Sequence, residues 1–354
     1  MRLISPILKR VVYPVLSATG RLRPQPSTGQ LSIVTYHGVR PAGYVSQDPD
    51  LDGTLVTAEV FQAQLQILKN RYHIISPENL LAWLRNREPF PQFAILITCD
   101  DGLQNALTDM LPILMTEGIR CLFFVTGASA DESRTMLWYE DLYLAFQAAP
   151  PGNFKISVNG IGLEGTLGSR AQRRTLWWDT LKRLSAVEPD TRESFLRDFH
   201  AVAAHNPQQS LNDENSTWCR RFGLLTAPEL KRLAAAGMTI GAHTLHHPML
   251  SQAPPELAYA EIYECKVRLE SVLQKQIWAL AYPFGNPESV DGRILQMAER
   301  AGFEAAFMND GGGLGAELPI YALPRVHVSA QMTLGEFEAH LSGFHARLQR
   351  MWRQ

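Results

Sequence analysis

Residues 94–106 read AILITCDDGLQNA. Residues 94–98 form an apolar run with the character of a buried β-strand, and Asp100, Asp101 and Gly102 follow as the turn that ends it. Two adjacent carboxylates at the mouth of a core strand repel each other, and desolvating either one is costly. The arrangement makes chemical sense if one binds a cation while the other handles a proton. The partners for both roles must then come from elsewhere in the chain.

Outward from this stretch, short apolar runs alternate with helical patterns. Strands are expected at 31–36, 72–75, 94–98, 121–126, 239–242, 278–281, 305–308 and 325–328. Helices are expected at 57–70, 76–87, 103–117, 226–236, 255–274, 291–301 and 333–345. Three joints repeat one device: EGI at 117–119, AGM at 236–238 and AGF at 301–303 each use a glycine to end a helix just before a strand. This alternation predicts an α/β fold with a largely parallel sheet. Seven or eight such units favour a barrel over an open sheet. Residues 129–225 break the rhythm. They are rich in Arg, Trp and polar residues and read as a mostly helical insertion, with a β-like piece near 155–162. Its aromatics read as packing anchors, and the insertion is placed to wall one side of a groove. The expected division is a basic N-terminal segment (1–30), a barrel (31–346) carrying the insertion, and a tail (347–354).

Bulk properties narrow the function. The chain has 354 residues and a formal net charge of −2, so nothing draws it towards nucleic acid. Cys99, Cys121, Cys219 and Cys265 form no CxxC pair and read as reduced structural thiols. Residues 1–24 hold five basic residues and no acidic one. Their apolar run is broken by Lys9-Arg10, Pro6 and Pro14, so it fits neither a membrane span nor an export signal. A basic amphipathic segment on an anionic membrane surface and a helix packed on the domain are the two readings of it. The expected location is the cytoplasm or its membrane face.

The second informative stretch is GMTIGAHTLHHPMLS (residues 237–251). A strand ends at His243, and histidines recur at 246 and 247. His243 and His247 have one-turn spacing, which brings two imidazoles to one cation. His246 competes with His247 for that place. Adding a carboxylate from the Asp pair gives three protein ligands and leaves a coordination position open for water or substrate. Both stretches follow predicted strands at their C-terminal ends, which share one face of a parallel barrel.

TCDDG (98–102), HTLHHP (243–248) and AYPFG (281–285) occur in the order of the first three motifs of the polysaccharide deacetylases. These are the NodB-homology group of carbohydrate esterases. VTYHGV (34–39) and LPRVHV (323–328) resemble elements of an exopolysaccharide-associated bacterial branch. The resemblance spans roughly residues 31–328, with the insertion matched only loosely around LWYEDL. It implies an irregular (β/α) barrel, a divalent metal, most often Zn2+ with Co2+ or Ni2+ as substitutes, and hydrolysis of the N-acetyl group of an N-acetylglucosamine-like glycan. It implies Asp100 as general base and Asp101, His243 and His247 as metal ligands. A backbone N–H near Phe284 is the expected oxyanion donor. His327 best matches the family's late acid, though a structural strand histidine is the competing reading. His37 is expected in a hydrogen-bonded supporting place.

The sequence departs from the family at three points. Ala281 stands where the third motif usually has an arginine that orients the catalytic Asp, and Arg325 is the candidate to replace it. The fourth motif, an Asp-Trp pair, has no match; NDGGG (309–313) only fills the interval. The late histidine rests on His327 alone. The leading expectation is therefore a metal-dependent N-deacetylase. The alternatives are a catalytically impaired, sugar-binding relative and a hydrolase of another amide or ester at the same site.

Overall fold

A computed structural model describes residues 6–24, 31–46, 48–49, 51–158, 160–310 and 319–353. Ten strands occur in chain order: β1 (Leu31–Tyr36), β2 (His73–Ile74), β3 (Ala94–Cys99), β4 (Leu122–Val125), β5 (Gly152–Val158), β6 (Ile161–Leu167), β7 (Thr239–Ala242), β8 (Ala279–Ala281), β9 (Ala305–Phe307) and β10 (Val326–His327). Seven form one parallel path, β10-β1-β3-β4-β7-β8-β9, and β2 pairs with β3 beside it. The path curls into a half-barrel. A single parallel bridge, Phe307↔Leu323, brings the approach to β10 back against β9.

Strand alternation sorts the side chains. Val34, Tyr36, Ile97, Cys99, Phe123, Val125, Ile240 and Val326 pack outwards under the helices. Leu31, Ile33, Leu96, Phe124, Ala281, Ala305 and Phe307 fill the interior. Continuing the interior parity past each strand predicts which way the site residues face. Thr35 leads to His37, Thr98 to Asp100, Gly241 to His243, and Arg325 to His327. The register supports this, because Asp100 N–H still donates to Tyr36 O (2.9 Å) and His243 N–H to Val125 O (2.8 Å). Asp100 and His243 are therefore held by the ladder itself. Gly241 is required inside: a Cβ there would lie 2.6 Å from the Phe124 ring.

Around the sheet, Thr57, Ser76 and Asp291 cap their helices with side-chain acceptors, at the boundaries the sequence predicts. Two predicted helices differ. The first begins only at Ala106, because residues 103–105 are held by the turn after β3. The last divides into Leu334–Leu341 and Phe344–Arg353, since Gly343 takes φ +71 between them. The second of these helices runs through position 347. Among residues 311–318, outside the described residues, lies the end of NDGGG.

Residues 129–225 carry helices Trp138–Ala148, Arg170–Ser185, Pro189–Ala203 and Thr217–Phe222 and the antiparallel β5–β6 hairpin. Phe146, Leu181, Leu184, Phe195 and Phe199 give this part its own apolar core. At the other end of the chain, helices Leu8–Val12 and Tyr13–Ala18 pack on the domain. Tyr13 is fully buried, its hydroxyl lies 2.8 Å from His345 Nδ1, and Lys9 pairs with Glu336 at 3.0 Å. Among the described residues, no helix is long and apolar enough to cross a membrane.

Candidate metal centre and active-site cavity

The DDG turn is built from two consecutive left-handed residues, Asp101 (φ +75) and Gly102 (φ +75). Asp tolerates this region better than most side chains, and Gly adopts it freely. At Gly102 a Cβ would also meet Val125 Cβ at 2.9 Å. The reversal sends the two neighbouring carboxylates in different directions. Thr244 (φ +61), His247 (φ +60) and Phe284 (φ +61) share this unusual backbone. Asp101 with these three makes four of the eight described non-glycine residues at positive φ, so strain concentrates here.

Asp101 Oδ1 lies 3.4 Å from both His243 Nε2 and His247 Nε2. Ligand atoms of all three residues fall within 4.8 Å of one another, and all three residues are buried. His243 Nδ1 donates to Ala281 O (2.8 Å), which puts the proton on Nδ1 and leaves the Nε2 lone pair aimed at the carboxylate. Two acceptors facing each other repel unless a cation lies between them. The residues therefore fit a metal: one carboxylate oxygen and two imidazole nitrogens form the donor set of zinc and its neighbours. Burial works against ionising Asp101, yet the His243 and His247 imidazoles beside its carboxylate hold its pKa well below the usual carboxylate range. His246 is turned away. Its N–H and Nδ1 both engage Glu261, at 2.7 and 2.9 Å. Trp138 Nε1 donates to His247 O (3.3 Å) and braces the ligand loop.

Asp100 is the opposite case. Arg325 Nη1 donates to its Oδ1 (2.7 Å) and Nη2 to its Oδ2 (2.6 Å), a bidentate fork inside the barrel with neither side chain exposed. The guanidinium is otherwise satisfied by Met308 O (3.0 Å) and Thr98 Oγ1 (3.2 Å). It lies 5.3 Å from the Phe124 ring and 5.9 Å from the Phe307 ring. Small interior residues, Gly241, Ala281 and Ala305, leave the volume it occupies. Burial raises the pKa of Asp100, but Arg325 and then His243 lower it further, and the net shift is downwards. The arginine absent from position 281 is thus matched by one that enters from the strand on the other side of the barrel.

These residues open on a cavity of about 1190 Å³ lined by His37, Asp100, Asp101, His243, His247, Phe284 and His327. The His37 and His327 rings meet edge to face at 4.9 Å. Burial, followed by the charge of His37, pushes the His327 pKa down to about 3, so its imidazole is neutral near pH 7. The Phe284 N–H makes no hydrogen bond among the described residues, and its ring packs at 5.1 Å from His247. The structure thus brings together every site residue the sequence predicts, but not the hydrogen-bonded setting expected for His37: it is only partly buried, and its Nδ1 has no partner among the described residues.

The insertion supplies the opposite wall, which sequence reasoning did not resolve to residues. Tyr139 lies over His247 (ring centroids 4.9 Å), and Trp178 meets the edge of Phe284 (6.1 Å). Trp177 donates to Tyr139 O (2.9 Å), and Arg170 and Arg174 stand on the rim. The only sequence signal for this wall was the loose match at LWYEDL.

A parallel (β/α) half-barrel with a buried Asp-His-His cluster at the C-terminal ends of its strands defines the class. Residues 196–306 match the polysaccharide deacetylase family model. A Bacillus subtilis (strain 168) protein, YxkH, named for polysaccharide deacetylases, is 27% identical over 117 residues. That alignment covers 33% of this chain, and the chain spans 41% of that relative's length. The Streptococcus pyogenes deacetylase PplD, solved in complex with acetate, has a TM-score of 0.55 at 18% identity, covering 89% of this chain and 99% of PplD. IcaB from Ammonifex degensii has a TM-score of 0.54 at 16% identity, covering 88% and 97%. These structural likenesses are likenesses of fold. The family model and the Bacillus subtilis relative agree with the resemblance to polysaccharide deacetylases that the sequence motifs carry. The matched segment holds His243 and His247, and the fold adds the Asp pair from β3.

Proposed function

We propose that the chain is a metal-dependent hydrolase that removes N-acetyl groups from an amino-sugar glycan of N-acetylglucosamine type. The observation that carries this reading is the division of labour between Asp100 and Asp101. One is gripped by an arginine and faces the cavity; the other faces the Nε2 atoms of two imidazoles. Asp101, His243 and His247 hold the divalent cation, Zn2+ by preference, with Co2+ or Ni2+ accepted by the same donors. When bound, the cation polarises the acetyl carbonyl and acidifies water beside it.

The chain's own residues do the rest. Asp100, kept ionised by Arg325, takes a proton from the attacking water. The Phe284 N–H donates to the oxygen that gains charge as the carbonyl carbon becomes tetrahedral. When the C–N bond breaks, the amine nitrogen must gain one proton. His327 serves as its donor: the resting imidazole is neutral, and the proton it passes on is the one that Asp100 has taken from the attacking water. His37 packs on the His327 ring and fixes its orientation. Tyr139 and the tryptophans of the insertion exclude water and face the sugar. The paired Arg325 supports an active enzyme over a sugar-binding relative, because the orienting arginine is replaced and not lost.

The proposed place of action is the cytoplasm or its membrane face. Ile7, Val11 and Val15 form an exposed stripe on the N-terminal helices beside exposed Arg10, which supports peripheral contact with an anionic surface. The deciding experiment is acetate release from N-acetylated chito-oligosaccharides with and without added Zn2+, alongside metal analysis. Release that depends on metal and is absent in Asp100→Asn is expected. Wild-type release by Asp100→Asn overturns the assignment.

A further inference from the structure

Behind the metal-ligand loop, a second cavity of about 400 Å³ lies between the insertion and the barrel. Its lining includes Arg192, from helix Pro189–Ala203, and Thr126, from the end of β4. Arg192 is only 3% exposed. Its guanidinium lies over the Trp138 ring at 4.9 Å, and none of its N–H groups has an acceptor among the described residues. Thr126 is 1% exposed, and its hydroxyl is also buried without a partner. The Arg192 guanidinium presents its donors to the cavity with none engaged, and an idle buried hydroxyl such as that of Thr126 is costly. Finding both on one cavity points to an acceptor-rich ligand.

The carboxylates nearby make no hydrogen bond to Arg192: Glu261, whose charge acts on it most strongly, is held by His246 N–H (2.7 Å) and Nδ1 (2.9 Å). Asp141 is engaged by His200 (2.7 Å), Asp131 lies 3.8 Å from Arg268, and Glu193 is exposed on the rim. We propose that this cavity is a second ligand site that binds an oxyanion, a carboxylate or a phosphate group, through Arg192 and Thr126. The planar fork of Arg suits two oxygens of such a group, and the indole beneath fixes the fork in place. The site is separate from the metal centre but shares a wall with it. Trp138 braces His247 O, and Gly127, next to Thr126, donates to Thr244 O (3.0 Å). This inference does not depend on the deacetylase reading.

The test is thermal unfolding of the full, metal-loaded chain in inorganic phosphate, in acetate and in NaCl of equal ionic strength. At least one of the two oxyanions is expected to raise Tm saturably above the NaCl control, by mass action on the folded state. The shift should persist in Asp101→Asn, which removes the metal centre as an anion site. It should vanish in Arg192→Met. Thr126→Val should weaken the half-saturating concentration by roughly tenfold. If Arg192→Met does not fold, Arg192→Lys keeps the charge but loses the fork, and should weaken binding by a similar factor. Shifts no larger than in NaCl overturn the proposal. So does a shift lost in Asp101→Asn, or one unchanged in both the Arg192 and Thr126 variants.

Discussion

The two walls of the main cavity are built on different principles. The barrel floor sets buried charges at strand ends, where ladder hydrogen bonds fix the backbone and alternation fixes the direction. Each charge there has an assigned counterpart: Arg325 for Asp100, two imidazoles for Asp101. The insertion wall is made of half-buried aromatic rings on helices, held by packing and by single hydrogen bonds such as Trp177 to Tyr139 O. The floor is strained and charged, and on the proposed reading it carries the chemistry. The wall is largely aromatic, and on the same reading it selects what reaches the floor.

Changes to the floor should have the largest effects. His243→Ala and Asp101→Asn are expected to abolish metal binding, read by metal analysis, and with it all activity. Asp100→Asn should keep the metal and lose about 10²–10⁴-fold in kcat, the range for removing a general base. A variant of Asp101 that retains metal at wild-type stoichiometry would break the division of labour between the two carboxylates.

Arg325→Met comes next. It strands a buried carboxylate without its partner, a loss worth about 3–5 kcal/mol in stability. It should also lower kcat with little change in metal content, because the arginine touches Asp100 and not the metal ligands. Urea unfolding and metal analysis of the same sample separate the two effects. A variant as stable as the parent would mean that Asp100 is protonated in the folded state, against the downward shift that Arg325 imposes.

The same contrast explains what was legible in the sequence. All eight expected strands of the main sheet are present, with ends displaced by a residue or two, because apolar runs and period-two alternation report burial directly. The Asp101, His243 and His247 cluster was legible because strand ends and one-turn spacing concentrate such residues. Arg325 could be suspected, since it shares parity with His327, but its reach to Asp100 depends on small residues on three other strands. The choice of His247 over His246 rests in the structure on Glu261, 15 residues further on in another helix, which no local pattern signals. The insertion was least legible. Helical patterning tells which face is buried, not which element covers it, so Tyr139 and Trp178 could not be assigned to the cavity.

On the wall, Trp178→Ala should act on binding more than on chemistry. We expect KM to rise by about tenfold with kcat within about twofold, the signature of lost uniform binding. Steady-state kinetics on chito-oligosaccharides of increasing length would sharpen this, because the loss should shrink for short substrates that do not reach the insertion. A kcat-only effect would place Trp178 with the floor.

A second buried arginine–carboxylate group, on the wall side, extends the comparison. Arg221 donates to Asp52 Oδ1 (2.7 Å) and Glu140 Oε1 (2.9 Å), so one cation serves two carboxylates. Asp52 also accepts from Ser46 (2.7 Å), whereas Glu140 Oε2 is buried without a partner. Burial therefore dominates at Glu140 and, against the pull of Arg221, raises its pKa to about 7, while that of Asp52 is lowered. On the floor, where the ratio is one to one, the Asp100 carboxylate moves down instead. A carboxyl whose folded pKa exceeds its unfolded value stabilises the fold fully below the unfolded pKa. That contribution is lost as pH rises through the folded one. Between about pH 4.5 and 7 this group should remove up to about 3 kcal/mol from the stability of the wild type. Glu140→Gln should match the wild type near pH 5 and exceed it near pH 8 in urea unfolding. Parallel stability curves across that window would mean that Arg221 neutralises both carboxylates as completely as Arg325 neutralises one.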